Sequence, residues 1–455
     1  MNIFLKNKKN IQGSALISVI IFITIILLFI AIILLFQRNQ IRQMISFGNE
    51  IQVYMNLQSM LPGVLNEYNN LLADGNFSIK TWQESLFEKD ATEALMQPYG
   101  FYLLCRVSSR IKNIGRESTY LIGDNSRELY RYAMVTGDVY MPVVVTGNTS
   151  ITGDVSVGRQ GIKAGVLKGV RYKGSQVVYG RVFREDVSIL PDNNLAMIKP
   201  QLEYLEQISG EAAAFGDPDM FKISGNRLFL NNGVYVLDEA DIYALRNAGI
   251  TEIYGPGTFI LPTSTTLEGI SLFGQITLFS RENLIISSGV HTENILVFAE
   301  DILISGANEL CGQFIAFDSL SVESESYIKY PSVVALVENK PWLKKRTITI
   351  GSGARVEGTV ILCEKEPQPG RRSEHKMIIS QSAAITGLAY SSNFAELTGS
   401  ITGGIFVSAF NFYLSPTIYI NWLKDARIDR TRLSNEFIYP LLFKKPYKLT
   451  MVQKI

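Results

Sequence analysis

Residues able to do chemistry are few in this chain, and they stand far apart. Asp238, Glu239 and Asp241 lie within four positions of one another, close enough to share a cation through carboxylate oxygens. The same acids also suit the first turn of a helix, which is the simpler expectation. Glu300 and Asp301 read as solvated acids at a corner between two strands. Lys340, Lys344, Lys345 and Arg346 form one basic stretch, and Arg371, Arg372, His375 and Lys376 form another. Such loops suit anionic polysaccharide or lipid headgroups, with a solvated loop as the default. Gly158, Gly161, Gly165 and Gly169 are spaced for tight turns and fit neither a dinucleotide loop nor a phosphate loop.

Other chemistry lacks material. The histidines are His291 and His375, too few for imidazole-based metal sites or triads. Cys105, Cys311 and Cys363 are far apart and form no CxxC pair; one disulfide remains open. No catalytic residue, cofactor site or metal ligand is assigned, and the chain is expected not to be an enzyme. The alternative is a membrane-tethered β-helix polysaccharide lyase or hydrolase, which needs carboxylates gathered on one groove face. Lys and Arg number 43 against 42 Asp and Glu, so the basic field of a general nucleic-acid binder is missing.

The elements around these residues are more telling. Ala15 to Phe36 reads ALISVIIFITIILLFIAIILLF, without a charge or a proline. A helix of that length crosses a hydrocarbon layer of about 30 Å. Lys6, Lys8 and Lys9 precede it, and Arg38 and Arg42 follow. The lysine-rich side is expected to stay cytoplasmic, placing the remaining chain outside. The apolar run exceeds that of a signal peptide and ends in Leu-Leu-Phe-Gln-Arg, so an uncleaved single-pass anchor in the inner membrane is expected. From Ile41 to Ala73 apolar residues recur every three or four positions, which extends the helix amphipathically. Pro62 is expected to end or kink it, and Asp74-Gly75-Asn76 reads as a turn.

A basic leader ending in Gly13, followed by Ser14-Ala15-Leu16-Ile17-Ser18 and a long apolar helix, resembles type IV pilins and pseudopilins, most closely minor pilins. That resemblance implies leader-peptidase cleavage between Gly13 and Ser14 and packing against other pilin-like subunits. Major pilins carry glutamate at the fifth mature position, where this chain has Ser18. The departure argues against a major, self-polymerising subunit.

Phe77 to Arg131 reads as a small mixed region. A short helix is expected at Thr81–Phe87, from the capping-box spacing of Thr81 and Glu84, with strands at Gly100–Val107 and Ser118–Ile122. Beyond it a theme of aliphatic, small polar residue and glycine returns, as in Val135-Thr136-Gly137, Ile151-Thr152-Gly153, Val356-Glu357-Gly358, Ile385-Thr386-Gly387 and Ile401-Thr402-Gly403. Short strands turning at small residues and covering one another make a solenoid. This body resembles the parallel β-helix of bactofilins, most clearly over Ile348 to Val407. An antiparallel sandwich or barrel is the competing architecture, although Asn-Gly and Asp-Gly hairpin signals are scarce. Helical excursions are expected at Leu195–Ile208 and Asp238–Ala248. The aromatic tail after Pro416 is expected to cover the last coil or run along its side.

The expected organisation is therefore a mainly β chain: leader 1–13, transmembrane helix 14–36, amphipathic extension 37–74, mixed α/β region 75–134, parallel β-helix 135–415 and capping tail 416–455. The function it suggests is a membrane-anchored scaffold or adhesion component outside the cytoplasm. Its partners would be the bilayer, other pilin-like or envelope proteins, and polysaccharide.

Overall fold

The computed structural model describes residues 10–73, 77–85, 90–137, 139–185, 190–215, 221–341, 344–364, 375–444 and 447–455. The chain is mainly β, with one long helix near its N-terminus. It divides into two units. One holds the helix as far as Val64, with Thr81–Ala94 and Val107–Ser118; the other holds Leu65–Lys80, Leu95–Arg106 and Thr119–Ile455.

Helix α1 runs from Asn10 to Ala73 without a break and passes through Pro62. Of the two outcomes expected at the proline, an end or a kink, the end is not seen. Val53, Leu57, Met60, Val64, Tyr68 and Leu72 are all buried, at spacings of three and four. That continuous stripe outweighs the hydrogen bond lost at one proline. Strands β1 (Lys80–Glu84), β2 (Asp90–Tyr99), β3 (Tyr102–Ile111) and β4 (Ile114–Asp124) follow in sequence order within one sheet. The helix expected at Thr81–Phe87 is instead β1. Pairing beside β2 fixes it as a strand, with Trp82 buried between exposed neighbours, and residues 86–87 lie outside the described residues. The Asp74-Gly75-Asn76 turn also lies outside them.

In the first unit a polar knot joins helix to sheet. The Asn56 amide donates to Asp90 Oδ2 at 2.6 Å and to Ser109 Oγ at 3.3 Å, while Gln52 donates to Asn56 Oδ1 at 2.9 Å. Asn56 is fully buried, and the carboxylate it serves is nearly so. A buried carboxylate survives only when donors surround it.

The larger unit is built on three parallel ladders whose sheet closes on itself. One runs Leu310, Ile328, Val356, Ile385, Ile401, Ile428, Ile151. A second runs Leu278, Val297, Phe314, Val334, Val360, Ala389, Ile405. The third runs Leu284, Ile302, Leu320, Ile348, Met377, Ala395, Phe410. In each, every residue pairs with the next, and all of these side chains share one buried cluster. Sequence steps between rungs lengthen where loops are inserted, as at Glu364–Lys376, of which residues 365–374 lie outside the described ones.

The middle ladder is covered on both faces. Phe298, Ile315, Ala335, Ile361, Tyr390 and Phe406 alternate with its inward residues and join a second buried cluster. Helix α2 (Lys199–Ile208), with Leu202 and Leu205, covers part of that side, as do Tyr99–Leu104 and the tail residues Leu433–Phe443. This double burial explains unbroken apolar runs such as FIAF and VVALV, where a half-solvated strand would alternate. Helix α3 (Glu239–Asn247) forms near its expected position.

The order of the rungs departs from the order of the chain. Ile405 pairs with Met134, Leu423 with Val145 and Ile428 with Ile151, all in parallel. The earliest strands of the body thus follow its latest ones. Within the expected capping tail, Thr417–Ile420 turns back antiparallel on Asn411–Leu414, Trp422–Lys424 pairs in parallel with Val144–Thr146 in a separate three-stranded sheet, and Arg427–Asp429 continues the closed sheet in parallel with Ser400–Thr402. Beyond them the tail runs along the side and ends at Leu449–Lys454, antiparallel to β4.

Candidate functional site

Among the described residues, α1 is the one helix long and apolar enough to cross a membrane. Leu16 to Phe36 is exposed throughout, and its large apolar side chains are between 43% and 65% exposed. A soluble fold would bury such a surface. Lys6, Lys8 and Lys9 lie outside the described residues. Gly13 and Ser14 fall in the first turns of α1, and their side chains are not described. Arg38 and Arg42 stand exposed on the far flank. Apolar exposure then continues past these charges at Ile41, Met44, Phe47 and Ile51.

The acids singled out from the sequence separate. Asp238 caps α3: its Oδ1 accepts from the Asp241 amide at 2.8 Å, and Asp241 Oδ2 accepts from the Asp238 amide at 3.1 Å. Both carboxylates are occupied in a capping box, and Glu239 Oε1 accepts from the Thr266 amide at 3.3 Å. Burial raises the Asp241 pKa. Asp301 sits at a register shift and accepts from Ser319, while Glu300 is exposed. No group of three potential metal ligands gathers among the described residues.

The basic stretches are partly absorbed by the fold. Arg346 pairs with Asp318 and Lys376 with Glu396. The buried His375 accepts the Arg346 backbone amide on Nδ1 at 3.0 Å. Desolvation lowers the His375 pKa. Lys344 and Lys345 remain exposed, and Arg371 and Arg372 lie outside the described residues. All three cysteines are free and buried, so no disulfide joins them. Burial pushes the Cys105 thiol up to about 12 and raises the other two as well, which leaves them poor nucleophiles.

One cleft was not anticipated from the sequence. It encloses about 320 Å³ between the turn after β4 and the tail. Its floor is aromatic: Tyr130 stacks on Tyr439 with ring centroids 3.7 Å apart, and Phe437 meets Tyr439 edge-on at 4.9 Å. Arg127, Arg131 and Arg430 line it. More than 290 residues separate Arg131 from Arg430, so no motif could have announced the cluster.

No family model matches the chain, and no curated protein matches it. Among solved structures it is similar to the competence-associated pilin ComZ from Thermus thermophilus, at 9% identity over 90% of this chain and 97% of that one. The TM-score is 0.19, and a likeness of that size carries no argument.

Proposed function

We propose that the protein is a non-enzymatic, membrane-anchored component of the cell envelope, pilin-like in its N-terminal helix, that holds a β-helical body outside the cytoplasm. The observation that carries the reading is the uncharged apolar surface from Leu16 to Phe36, exposed at every position. Water does not tolerate it, and a bilayer or a bundle of like helices does. The β-helix part rests on the three parallel ladders, since parallel rungs advancing along a chain are the wiring of a solenoid. Inner-membrane placement with the lysine-rich end inside follows the charge bias around the anchor.

The helix from Ile41 to Ile51 keeps apolar side chains exposed beyond the flanking arginines. A companion helix from a pilin-like subunit is the partner we assign to it. Ser18 offers no carboxylate to a neighbour's terminal amine, which suits a minor rather than a major subunit.

Mass spectrometry of the mature N-terminus tests the pilin part. A terminal peptide starting at Ser14 is expected, and one retaining Met1 rules out processing. Carbonate extraction tests the anchor: the protein is expected in the membrane pellet. An Ile26→Lys/Phe29→Lys double variant is expected to shift to the soluble fraction, because each charge costs about 3 kcal/mol at mid-bilayer. Release of the unaltered protein by carbonate would sink the reading.

A further inference from the structure

We infer that the cleft lined by Arg127, Arg131 and Arg430 is a binding site for a small acidic sugar, one bearing a carboxylate or a phosphate. The site lies wholly in the larger unit and does not depend on the anchor reading. Three guanidiniums line one cavity, and among the described residues none has a carboxylate within ion-pair distance. Nearby acids are already engaged. Asp429 pairs with Arg432, and Asp154 pairs with Arg181. Asp124, behind the floor, receives the Ser126 amide, the Ser126 hydroxyl and the Lys448 amide on one oxygen. Glu128 beside Arg127 is exposed and forms no ion pair with it. Asp154 and Glu128 act on Arg131 only from beyond ion-pair distance, so the gathered cations still repel one another, and a bound oxyanion removes that cost.

The arginines are held differently. Arg430 is half-buried and fixed by its Nε–H, which donates to the Tyr130 carbonyl at 2.8 Å; among the described residues its Nη groups have no partner. Arg131 is exposed; one Nη donates to the Tyr132 hydroxyl at 2.6 Å, and its guanidinium lies 4.7 Å from the Tyr132 ring centroid. Arg127 is exposed at the rim. One half-buried and two exposed guanidiniums suit an anion that enters from solvent.

The rest of the lining points to a sugar body rather than a bare ion. Phe437, half-buried in the lining beside the buried Leu433 and Tyr439, offers an apolar face to ring C–H groups. The side-chain amides of Asn125 and Asn435 line the opening and make no hydrogen bond among the described residues, so they are available to hydroxyls. At about 320 Å³ the cleft is at the small end of ligand sites, which span roughly 300–1,000 Å³. That suits one or two sugar rings.

The test is calorimetric titration of the full chain in detergent micelles with galacturonate, glucose 6-phosphate, glucose and inorganic phosphate. Binding of at least one acidic sugar is expected, at least tenfold tighter than glucose and weakened by added salt. The better of the two acidic sugars identifies the oxyanion. Arg127→Gln/Arg131→Gln, two exposed changes, are expected to weaken it at least tenfold with an unchanged melting temperature. Ser434→Trp, which fills the opening without changing charge, is expected to do the same. Inorganic phosphate binding as tightly as glucose 6-phosphate, with galacturonate silent, would overturn the sugar assignment. No binding of either acidic sugar, or equal binding by the double variant, would overturn the site.

Discussion

Single residues carry much of this fold, and the clearest are three stacked glycines. Gly358, Gly387 and Gly403 occupy one corner of consecutive rungs, with φ of 153°, 141° and 138°. A Cβ on Gly387 would run into the Gly358 carbonyl oxygen, and one on Gly403 into that of Gly387. The repeated aliphatic-polar-glycine theme is therefore a corner requirement, which is why it was visible in the sequence. Gly387→Ala is expected to destabilise by at least about 2 kcal/mol, from strain plus backbone overlap. Gly353→Ala, with φ of 82° and open space around it, is expected to cost only about 1 kcal/mol of strain. Thermal unfolding in micelles ranks the two, and equal losses would refute the overlap argument. Asn56 gave no such signal, because its meaning depends on Asp90 and Ser109 meeting it in space. Asn56→Ala removes a donor to a buried carboxylate and is expected to cost about 2–3 kcal/mol. Asn56→Asp is expected to be worse, and Asn56→Asp/Asp90→Asn to recover most of the loss by exchanging donor and acceptor. His375 adds a pH dependence. Its folded pKa lies below the ordinary value of about 6.5, so the unfolded chain takes up the proton first. Stability is full above about pH 6.5 and falls as pH drops below it. His375→Asn, which keeps an acceptor for the Arg346 amide, is expected to flatten that slope in melting curves taken from pH 7.5 to 5.5.

At the scale of elements, success followed the strength of the period. Helix α1 was legible because its apolar spacing repeats over many residues, and the strands near Gly100–Val107 and Ser118–Ile122 because they are rich in aromatic and β-branched residues. Helix α3 was legible because its acids and following glycine are local signals. The failure at Thr81–Glu84 shows the opposite case: a capping-box pattern of four residues lost to pairing beside β2, which buries one tryptophan. Pro62 is a second local signal overruled by distant packing. Its ring removes one backbone donor from a helix whose buried stripe continues to Leu72. Pro62→Ala is expected to raise helix stability by about 1–3 kcal/mol and to slow amide exchange at residues 58–66. If exchange there quickens instead, the proline does more than the helix tolerates, and a designed bend at that point would have to be considered part of its role.

For the molecule as a whole, the parallel connectivity was readable and the order of its rungs was not. Repeats announce that strands stack, but every rung carries the same aliphatic code, so nothing in Ile151 says that it follows Ile428. The pairing of residues 134–158 onto the rungs of 400–429 joins chain segments some 270 residues apart. The cleft beside it escaped notice for the same reason, since Arg131 reaches Arg430 only after that closure. Such a join makes the two ends of the body mutually dependent. Ile151 is fully buried between its Ile428 neighbour and the next rung. Ile151→Ala leaves a cavity in that ladder and is expected to cost about 2–4 kcal/mol. Hydrogen exchange locates the damage. Arg427–Asp429 and Met134–Thr136 are expected to exchange faster in the variant, while Glu252–Tyr254, several rungs away, keeps its protection, because stacked parallel strands pass stability mainly to their direct neighbours. Faster exchange near residue 252, with 427–429 unchanged, would mean that the rungs follow chain order after all, and both the closure and the cleft built on it would fall together.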